Sequence, residues 1–291
     1  MRIILLLIIV LAAFSGYGQG KTQKKLRKYK TGEREQYEIK CVESFNGKLS
    51  SITIAKCELT TIKVNGIFYD EVKWISKLMI KGNDTLVQDD LAKRVASYKI
   101  SLDNNGSLDI PKIEVPEMTQ PIQDFNTFFV AISPHLGNNN LVKPGDYYKV
   151  PSQINGNFAN GSSILVGNDC FDVDIKYVSD SLRYRKTLVK FAPSKVAGIK
   201  YLLSEMTTPI VDGVVNNFQM VMPSGDLFNV QYGVESFSIE SMVERKSGIL
   251  TKATMNNELE LKLKMNCNKE FENCSTQMSF QTNRFLIVRK L

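Results

Sequence analysis

The sequence predicts a mainly β protein of the α+β class, in which an antiparallel sheet, either curved or folded into a sandwich, accompanies one or two short helices. Polar and apolar residues alternate with a period of two in most segments after Tyr37, which is typical of strands with one buried face. Asn-Gly pairs, which suit tight hairpin turns, separate several of these segments. The best helical periodicity is confined to one segment near the middle of the chain.

Strands and tight turns account for most of the first half. Asp103-Asn104-Asn105-Gly106 is predicted to close a hairpin over Tyr98–Ile110, since Asn-Gly adopts the positive φ angles that a tight turn needs. Asp84–Val95 is predicted to form a short helix. The strands expected here are Tyr37–Cys41, Ser51–Ile54, Thr60–Val64 and Val72–Ile80.

The main helix is predicted over Pro121–Ile132. Its large apolar residues share one face, proline is tolerated in its first turn, and Thr119 is positioned to cap it. Pro134 ends it, because proline cannot continue a helix. The residues of the apolar face are Ile122, Phe125, Phe128, Phe129 and Ile132.

The second half is again predicted to be antiparallel sheet. Its clearest run, Glu258–Met265, alternates polar and apolar residues without a break, so one face should be buried and the other wet. Lys246-Ser247-Gly248 is the turn before this strand, and Ser194–Glu205 is predicted to be a short helix. The other strands expected here are Phe171–Tyr177, Thr187–Phe191, Phe237–Val243 and Arg284–Leu291.

The amino terminus has the three parts of a secretory signal peptide. Arg2 supplies a positive charge, residues 3–14 form an unbroken apolar run, and Gly16 and Gly18 are the small residues before a cleavage site. We therefore predict cleavage between Gly18 and Gln19 and export to the periplasm, the cell envelope or the medium. The alternative is an uncleaved anchor, because a basic run directly after the apolar segment resists translocation.

The net charge of +7 comes from the amino-terminal region and not from the body of the chain. Once Arg2 and one short basic run are set aside, 30 Lys and Arg residues balance 30 Asp and Glu residues. A nucleic-acid-binding domain usually carries its positive charge on the fold itself, so no nucleic-acid partner is expected. The basic run is predicted to be a flexible solvated lead-in, with weak contact to an anionic membrane surface as the alternative. It consists of Lys21, Lys24, Lys25, Arg27, Lys28 and Lys30.

The five cysteines provide one disulfide candidate and no metal site. Cys267 and Cys274 bracket a short polar loop, and a bridge there would stabilise the fold by about 2–3 kcal/mol. No C-x-x-C pair occurs and the chain has a single histidine, so no metal and no other cofactor is expected.

The other three cysteines, Cys41, Cys57 and Cys170, are predicted to be small buried hydrophobic residues. If the first hairpin turns at Asn46-Gly47, Cys41 lies opposite Ile52. A bridge between Cys41 and Cys57 is therefore not expected.

No catalytic residue is predicted. His135 follows a helix end, where a histidine commonly interacts with the terminal carbonyls, and no nucleophile motif accompanies it. The segment from Asp103 to Glu114 has oxygen-bearing side chains at calcium-loop spacing. However, Leu108 stands where that loop needs glycine, which favours a hairpin turn. A hydrolase with two carboxylates across a cleft is the alternative to a non-enzymatic protein.

Three features describe the layout of the chain: a leader ending at Gly18-Gln19, the segment Leu141–Tyr147 after the helix, and the Arg245–Leu250 hairpin before a long strand. In this layout the chain resembles exported bacterial β-rich proteins of unknown function. These in turn resemble the curved antiparallel sheets of lipoprotein-carrier-like folds, whose concave side holds an acyl chain. The resemblance implies a fold and a ligand class, and no functional residues.

Together these observations predict an exported, non-enzymatic binding protein that holds an apolar ligand, such as a lipid, on a curved sheet. The residues expected to face the ligand are Leu259, Leu261 and Leu263. The alternatives are the hydrolase and a structural or adhesive module. The predicted organisation is a signal peptide (1–18), a basic lead-in (19–33), an N-terminal β region (34–118), a helix and loop connection (119–143), and a C-terminal β region (144–291). The two β regions are either separate or one continuous domain.

Overall fold

The computed structural model describes residues 26–108, 113–152, 154–160, 163–195, 198–201, 217–268 and 270–291. The predicted signal peptide, its cleavage point at Gly18 and Gln19, and the basic residues Lys21, Lys24 and Lys25 lie outside the described residues.

The described part of the chain consists mainly of strands. The strands are β1 (Arg34–Phe45), β2 (Lys48–Val64), β3 (Ile67–Lys81), β4 (Asp84–Val87), β5 (Tyr98–Ile100), β6 (Tyr147–Lys149), β7 (Ile154–Asn160), β8 (Ser163–Asp180), β9 (Tyr184–Pro193), β10 (Gly198–Tyr201), β11 (Phe218–Ser224), β12 (Leu227–Glu244), β13 (Leu250–Cys267) and β14 (Thr276–Lys290). The α-helices are α1 (Asp89–Lys93) and α2 (Thr119–Ala131), and Pro116–Met118 and Asn138–Asn140 are single 3-10 turns.

The strands form one antiparallel sheet. Its hydrogen-bonded order is β10-β8-β9-β12-β13-β14-β1-β2-β3-β4, with β5 on β3, β6 and β7 on β8, and β11 on β12. The pairing of β14 with β1 joins the two β regions edge to edge. The predicted fold class, mainly β with a few short helices, is confirmed, and a single open sheet takes the place of the sandwich alternative.

Two-residue turns close the first two hairpins. Asn46 and Gly47 have φ angles of 47° and 76°, and Asn65 and Gly66 have 49° and 86°. Positive φ at both central residues matches the turn to the twist of the strands, and asparagine and glycine adopt it most readily. The turn predicted at Asn46-Gly47 is therefore present.

The register of the first hairpin differs from the prediction by one residue. A β-bulge between Glu43 and Ser44 shifts the pairing of β1 with β2, so Cys41 lies opposite Thr53 and not Ile52. Cys41 and Cys57 are both free thiols in the structure. The hairpin periodicity could not reveal the bulge, because one extra residue leaves the turn itself unchanged.

Two local predictions were wrong. Asp84–Val95, expected as a helix, begins with strand β4, and only α1 is helical. Gly198–Tyr201 is strand β10 in the middle of the expected helix Ser194–Glu205. In both cases a neighbouring strand offers backbone hydrogen bonds that local propensity does not predict.

The hairpin predicted over Tyr98–Ile110 is described only in part. The Gly106 N–H donates to the Asp103 carbonyl at 2.9 Å, and the Ser101 N–H donates to the Ser107 carbonyl at 2.8 Å across the turn. Strand β5 pairs with β3, and residues 109 and 110 of the expected return strand lie outside the described residues.

Helix α2 lies within the core. Ten of its thirteen residues are buried, including the polar residues Gln123, Asp124 and Asn126. The sequence predicted one apolar face for this helix, whereas polar residues outside that face are buried as well. Thr119, expected as the cap, is the first helical residue, and Met118 precedes it as the N-cap. The sheet residues of this core include Tyr37, Ile39, Ala55, Trp74, Val173, Ile175, Val189, Ile239, Met255, Leu286 and Val288.

The second half of the basic lead-in, expected to be flexible, packs on the sheet. Arg27 is buried and donates a hydrogen bond of 2.7 Å to the Glu33 carboxylate. The Lys28 backbone N–H donates to the Ser247 carbonyl at 2.7 Å. Gly248 permits this close approach, because a Cβ there would lie 1.9 Å from the Leu26 carbonyl oxygen. The lead-in is therefore anchored from residue 26 onward.

Candidate functional site

Strands β13, β14 and β1 share a face whose chemistry changes along its length. Residues directly opposite each other in an antiparallel sheet point to the same side, and alternate residues along a strand do likewise. The core end of this face contains Leu286 on β14, which lies opposite Met255 on β13 and opposite Cys41 on β1. Two residues further along each strand come Asn257, Arg284 and Glu43, which we call the polar row.

A buried ion pair fixes helix α2 to the polar row. The Arg284 guanidinium donates a hydrogen bond to Oδ2 of Asp124, and only 10% and 5% of the two side chains are exposed. Oδ1 of Asp124 accepts a hydrogen bond of 3.0 Å from the Gln120 amide. Both carboxylate oxygens are thus occupied, and the pair marks the end of the helix-filled core.

Glu235 on β12 lies directly opposite Leu259, one row beyond the polar row. The Asn257 amide donates a hydrogen bond of 2.6 Å to its Oε1. Burial raises the pKa of the half-buried Glu235 carboxyl above its ordinary value of 4.5, although Asn257 and the Arg284 cation oppose this. The amide oxygen of Asn257 is buried without a hydrogen-bond partner.

The Cys41 thiol is also close to Arg284, with Sγ 3.6 Å from the guanidinium. Burial nevertheless raises the pKa of Cys41 to about 11. The thiolate is the nucleophilic form, so this cysteine is an inert packing residue at neutral pH.

Beyond the polar row the same face becomes apolar again. This surface, which we call the distal strip, contains Leu259, Leu261 and Leu263 on β13, Met278 and Phe280 on β14, and Phe45 on β1. Phe280 lies opposite Leu261, and the Phe45 and Phe280 rings stack with centroids 5.0 Å apart. Leu259 and Leu261 are buried, Leu263 and Phe280 are half-buried, and Phe45 and Met278 are exposed.

The structure therefore places the three leucines proposed from the sequence on one strip and adds three residues to them. Phe280 and Met278 were missed because the last strand was expected to begin at Arg284, whereas β14 begins at Thr276. Their alternation with the polar residues Gln277, Ser279 and Gln281 is the signal that could have found them.

Cys267 and Cys274 form a disulfide. It closes the loop between β13 and β14 at the outer end of the distal strip. The disulfide thereby ties both strands together at that end.

The remaining candidate residues do not come together in a reactive site. His135 is exposed after α2, and the Asn138 amide, not the histidine, donates to the Ala131 carbonyl at 2.7 Å. Across the described ranges, no three His, Cys, Asp or Glu side chains form a group able to hold a metal ion. In the same ranges, no helix has the length and hydropathy needed to cross a membrane.

The two functional alternatives find little geometric support. Glu235 and Asp124 are near each other, but Asp124 is bound on both oxygens, which favours a structural ion pair over acid–base chemistry. An adhesive module would benefit from a long open edge strand, whereas β4 and β10, the two ends of the described strand order, have four residues each. Short edge strands are a common protection against pairing with other chains.

No protein-family profile and no curated protein matches the sequence. Among solved structures, the chain is similar to OmpT, an outer membrane protein of Vibrio cholerae, with 7% identity, a TM-score of 0.19, and coverage of 90% of this chain and 100% of that chain. It is also similar to OccK11 of Pseudomonas aeruginosa, with 8% identity, a TM-score of 0.21, and coverage of 92% and 98%. At TM-scores this low, neither likeness carries an argument about fold or function.

We expect Glu235→Gln to stabilise the protein at neutral pH. Because the folded-state pKa is raised, ionising Glu235 costs more in the folded than in the unfolded chain. This contribution to the free energy of unfolding is therefore complete below about pH 4.5 and is lost as the pH rises through the folded-state pKa. Glutamine keeps the hydrogen bond from Asn257 and does not ionise.

Urea unfolding across a pH series from about 4 to 8 measures this difference. The matched control is Glu258→Gln on β13, whose side chain is exposed. The expectation fails if the Glu235→Gln and wild-type curves remain parallel over the whole pH range.

Proposed function

We propose that this chain is an exported, non-enzymatic binding protein that holds an apolar ligand against the distal strip. The observation that carries the proposal is the continuation of the core face past the end of α2. Phe45 and Met278 on this face are 43% and 44% exposed, although Leu259 and Leu261 on the same face of β13 are buried. Exposed apolar side chains that continue a buried apolar face suit a ligand with an alkyl or aromatic body.

The polar row defines the inner limit of such a ligand. The Asp124–Arg284 ion pair and Asn257 lie between the core and the distal strip. An alkyl chain would have to desolvate these groups to pass further, which is unfavourable. A ligand therefore lies along β13 and β14 and does not replace α2 in the core.

Export rests on the signal-peptide pattern that ends at Gly18 and Gln19. The Cys267–Cys274 disulfide supports it, because disulfides persist in oxidising compartments. The proposed location is thus the periplasm, the cell envelope or the medium.

Native mass spectrometry of the protein, produced with its own leader and purified from the envelope or the medium, tests export and cargo together. We expect a chain beginning at Gln19 with an additional mass that is lost on denaturation. A chain that begins at Met1 and is recovered only from the cytoplasmic membrane would overturn the export proposal.

Removal of the two strip aromatics should weaken binding of an apolar probe such as cis-parinaric acid. Phe45→Ala and Phe280→Ala should each lower the affinity about tenfold, through loss of contact with the ligand body. Fluorescence titration measures the affinity, and urea unfolding verifies that each variant is folded.

Phe285→Ala is the matched control. Phe285 also lies on β14 and is also 43% exposed, but it alternates with Arg284 and Leu286 and faces the other side of the sheet. Its affinity should stay at the wild-type value. Equal losses in all three variants, or a wild-type protein that binds no probe, would contradict the proposal.

A further inference from the structure

The turn between β8 and β9 exposes a leucine side chain to solvent. Leu182 is 99% exposed at the tip of this hairpin. The turn is closed by a hydrogen bond of 2.9 Å from the Ser181 N–H to the Tyr184 carbonyl, and by one of 3.0 Å from the Tyr184 N–H to Ser181 Oγ. Leucine contributes nothing to turn geometry, for which glycine, proline, asparagine, aspartate or serine is suited. The apolar side chain therefore has no local structural role.

A second aliphatic residue lies beside this hairpin. Val142 is 73% exposed in the loop after α2. The Asp146 carboxylate accepts hydrogen bonds from the backbone N–H groups of Val142 and Lys143, at 2.8 Å and 2.9 Å. The Gly145 N–H donates to the Tyr177 carbonyl of β8 at 2.9 Å. The loop is thus held in a fixed shape at the base of the Leu182 hairpin.

The neighbouring turn between β12 and β13 is joined to the same end of the sheet. The Arg245 N–H donates to the Arg183 carbonyl at 2.9 Å, and the Arg245 guanidinium pairs with Asp180 at 3.1 Å. The anchored lead-in reaches this turn as well, through the hydrogen bond from Lys28 to Ser247. We call these three turns and the lead-in the hairpin end.

The exposed cations of the hairpin end outnumber its acids by five to three. The cations are Lys28, Lys143, Arg183, Arg245 and Lys246, and the acids are Asp146, Asp180 and Glu244. Asp180 pairs with Arg245 at 3.1 Å and Glu244 with Arg183 at 3.7 Å, while Asp146 accepts hydrogen bonds from backbone N–H groups. The lysines at positions 21, 24 and 25 precede this segment in the sequence.

We propose that the hairpin end docks on an anionic lipid bilayer, with Leu182 and Val142 inserted between headgroups. Two separate aliphatic side chains on protruding turns, surrounded by cations, fit a deformable interface that is anionic at its surface and apolar beneath it. A nucleic acid would gain nothing from the aliphatic tips, and a second copy of this end would be repelled by its like charge. The proposal is independent of the apolar-ligand proposal.

Sedimentation with lipid vesicles tests the docking. Wild-type protein and variants, all produced from the same full-length gene so that the amino terminus is identical, are mixed with two kinds of vesicle. One is phosphatidylcholine alone, and the other contains phosphatidylcholine and phosphatidylglycerol in equal parts. We expect wild-type protein to sediment with the anionic vesicles more than with the neutral ones, and less at high salt.

Leu182→Ser should lower the partition coefficient on anionic vesicles about tenfold, through loss of aliphatic insertion. Lys246→Glu should lower the partition coefficient by more than about tenfold. Each charge near the lipid contributes about fivefold, and replacing lysine with glutamate changes the local charge by two units. The matched control is Leu49→Ser, because Leu49 is 65% exposed beside the Asn46-Gly47 turn at the opposite end of the sheet. Leu49→Ser should bind as wild type does.

Three results would overturn the proposal. The first is wild-type sedimentation that does not depend on anionic lipid, and the second is an equal loss of binding for Leu49→Ser and Leu182→Ser. The third is that single-stranded RNA fully releases wild-type protein from the vesicles, while the Lys246→Glu variant does not bind this RNA. The last outcome would assign the cationic end to nucleic acid. Circular dichroism of each variant confirms that a lost signal reflects docking and not unfolding.

Discussion

Replacing Arg284 with methionine should lower the free energy of unfolding by about 3–5 kcal/mol. The guanidinium is almost entirely buried and is bonded to the Asp124 carboxylate, which is itself only 5% exposed. Methionine fills much of the arginine volume but leaves the carboxylate as an uncompensated charge in the core. The cost of such a charge is larger than the net value of the pair itself.

The loss of Arg284 affects other acids besides Asp124. The Arg284 cation also lowers the pKa of Glu235 against the dominant effect of burial, and Glu43 lies directly opposite it on β1. Loss of the cation therefore destabilises the ionised form of Glu235 as well. We expect the destabilisation to shrink at acidic pH, where the Glu235 carboxyl takes up a proton.

Urea unfolding compares this variant with Arg289→Met as the matched control. Arg289 is on the same strand and pairs with Glu38 at 2.7 Å, but its side chain is 60% exposed. Exposed ion pairs contribute about 0–1 kcal/mol, so the control should be nearly neutral. The double variant Arg284→Met with Asp124→Leu should recover most of the lost stability, because no unpaired charge is left. If the double variant is no more stable than Arg284→Met alone, the ion pair is not what holds α2 to the sheet.

Replacing Phe125 with alanine should cost about 3–5 kcal/mol of the free energy of unfolding. Phe125 is fully buried on α2, and its ring contacts those of Tyr37, Trp74 and Phe129 at centroid distances of 5.7, 5.8 and 5.0 Å. Its removal loses the transfer free energy of the ring and leaves a cavity between the helix and strands β1 and β3. The edge-to-face contacts with Tyr37 and Trp74 add to the loss.

Phe285→Ala removes the same side chain from the outer face of the sheet, where it is 43% exposed, and should change stability far less. Thermal unfolding followed by the near-ultraviolet circular dichroism of Trp74 reports directly on the packing around α2, because the chain has one tryptophan. A Phe125→Ala variant within about 1 kcal/mol of wild type would show that α2 is not the centre of the core.

Much of the local structure followed from the sequence alone. The unbroken alternation of Glu258–Met265 predicted a strand with one buried face, and it lies in β13 with Leu259 and Leu261 buried. The spacing of Ile122, Phe125 and Phe129 predicted the main helix to within a few residues of α2. These predictions succeed because periodicity records which side of an element is apolar, and that property is local.

Only the tertiary structure decided what covers each face. Asp124 and Arg284 are 160 residues apart in the chain, and their pairing depends on a sheet that brings β14 against α2. The polar residues Asp124 and Asn126 of α2 are buried, because Arg284 and Tyr98 from distant strands donate hydrogen bonds to them. Likewise, the distal strip exists because β1, β13 and β14 are in register, and Leu182 and Val142 share one end because β6 pairs with β8. Register and curvature arise from many distant backbone hydrogen bonds, which leave no periodic trace in the sequence.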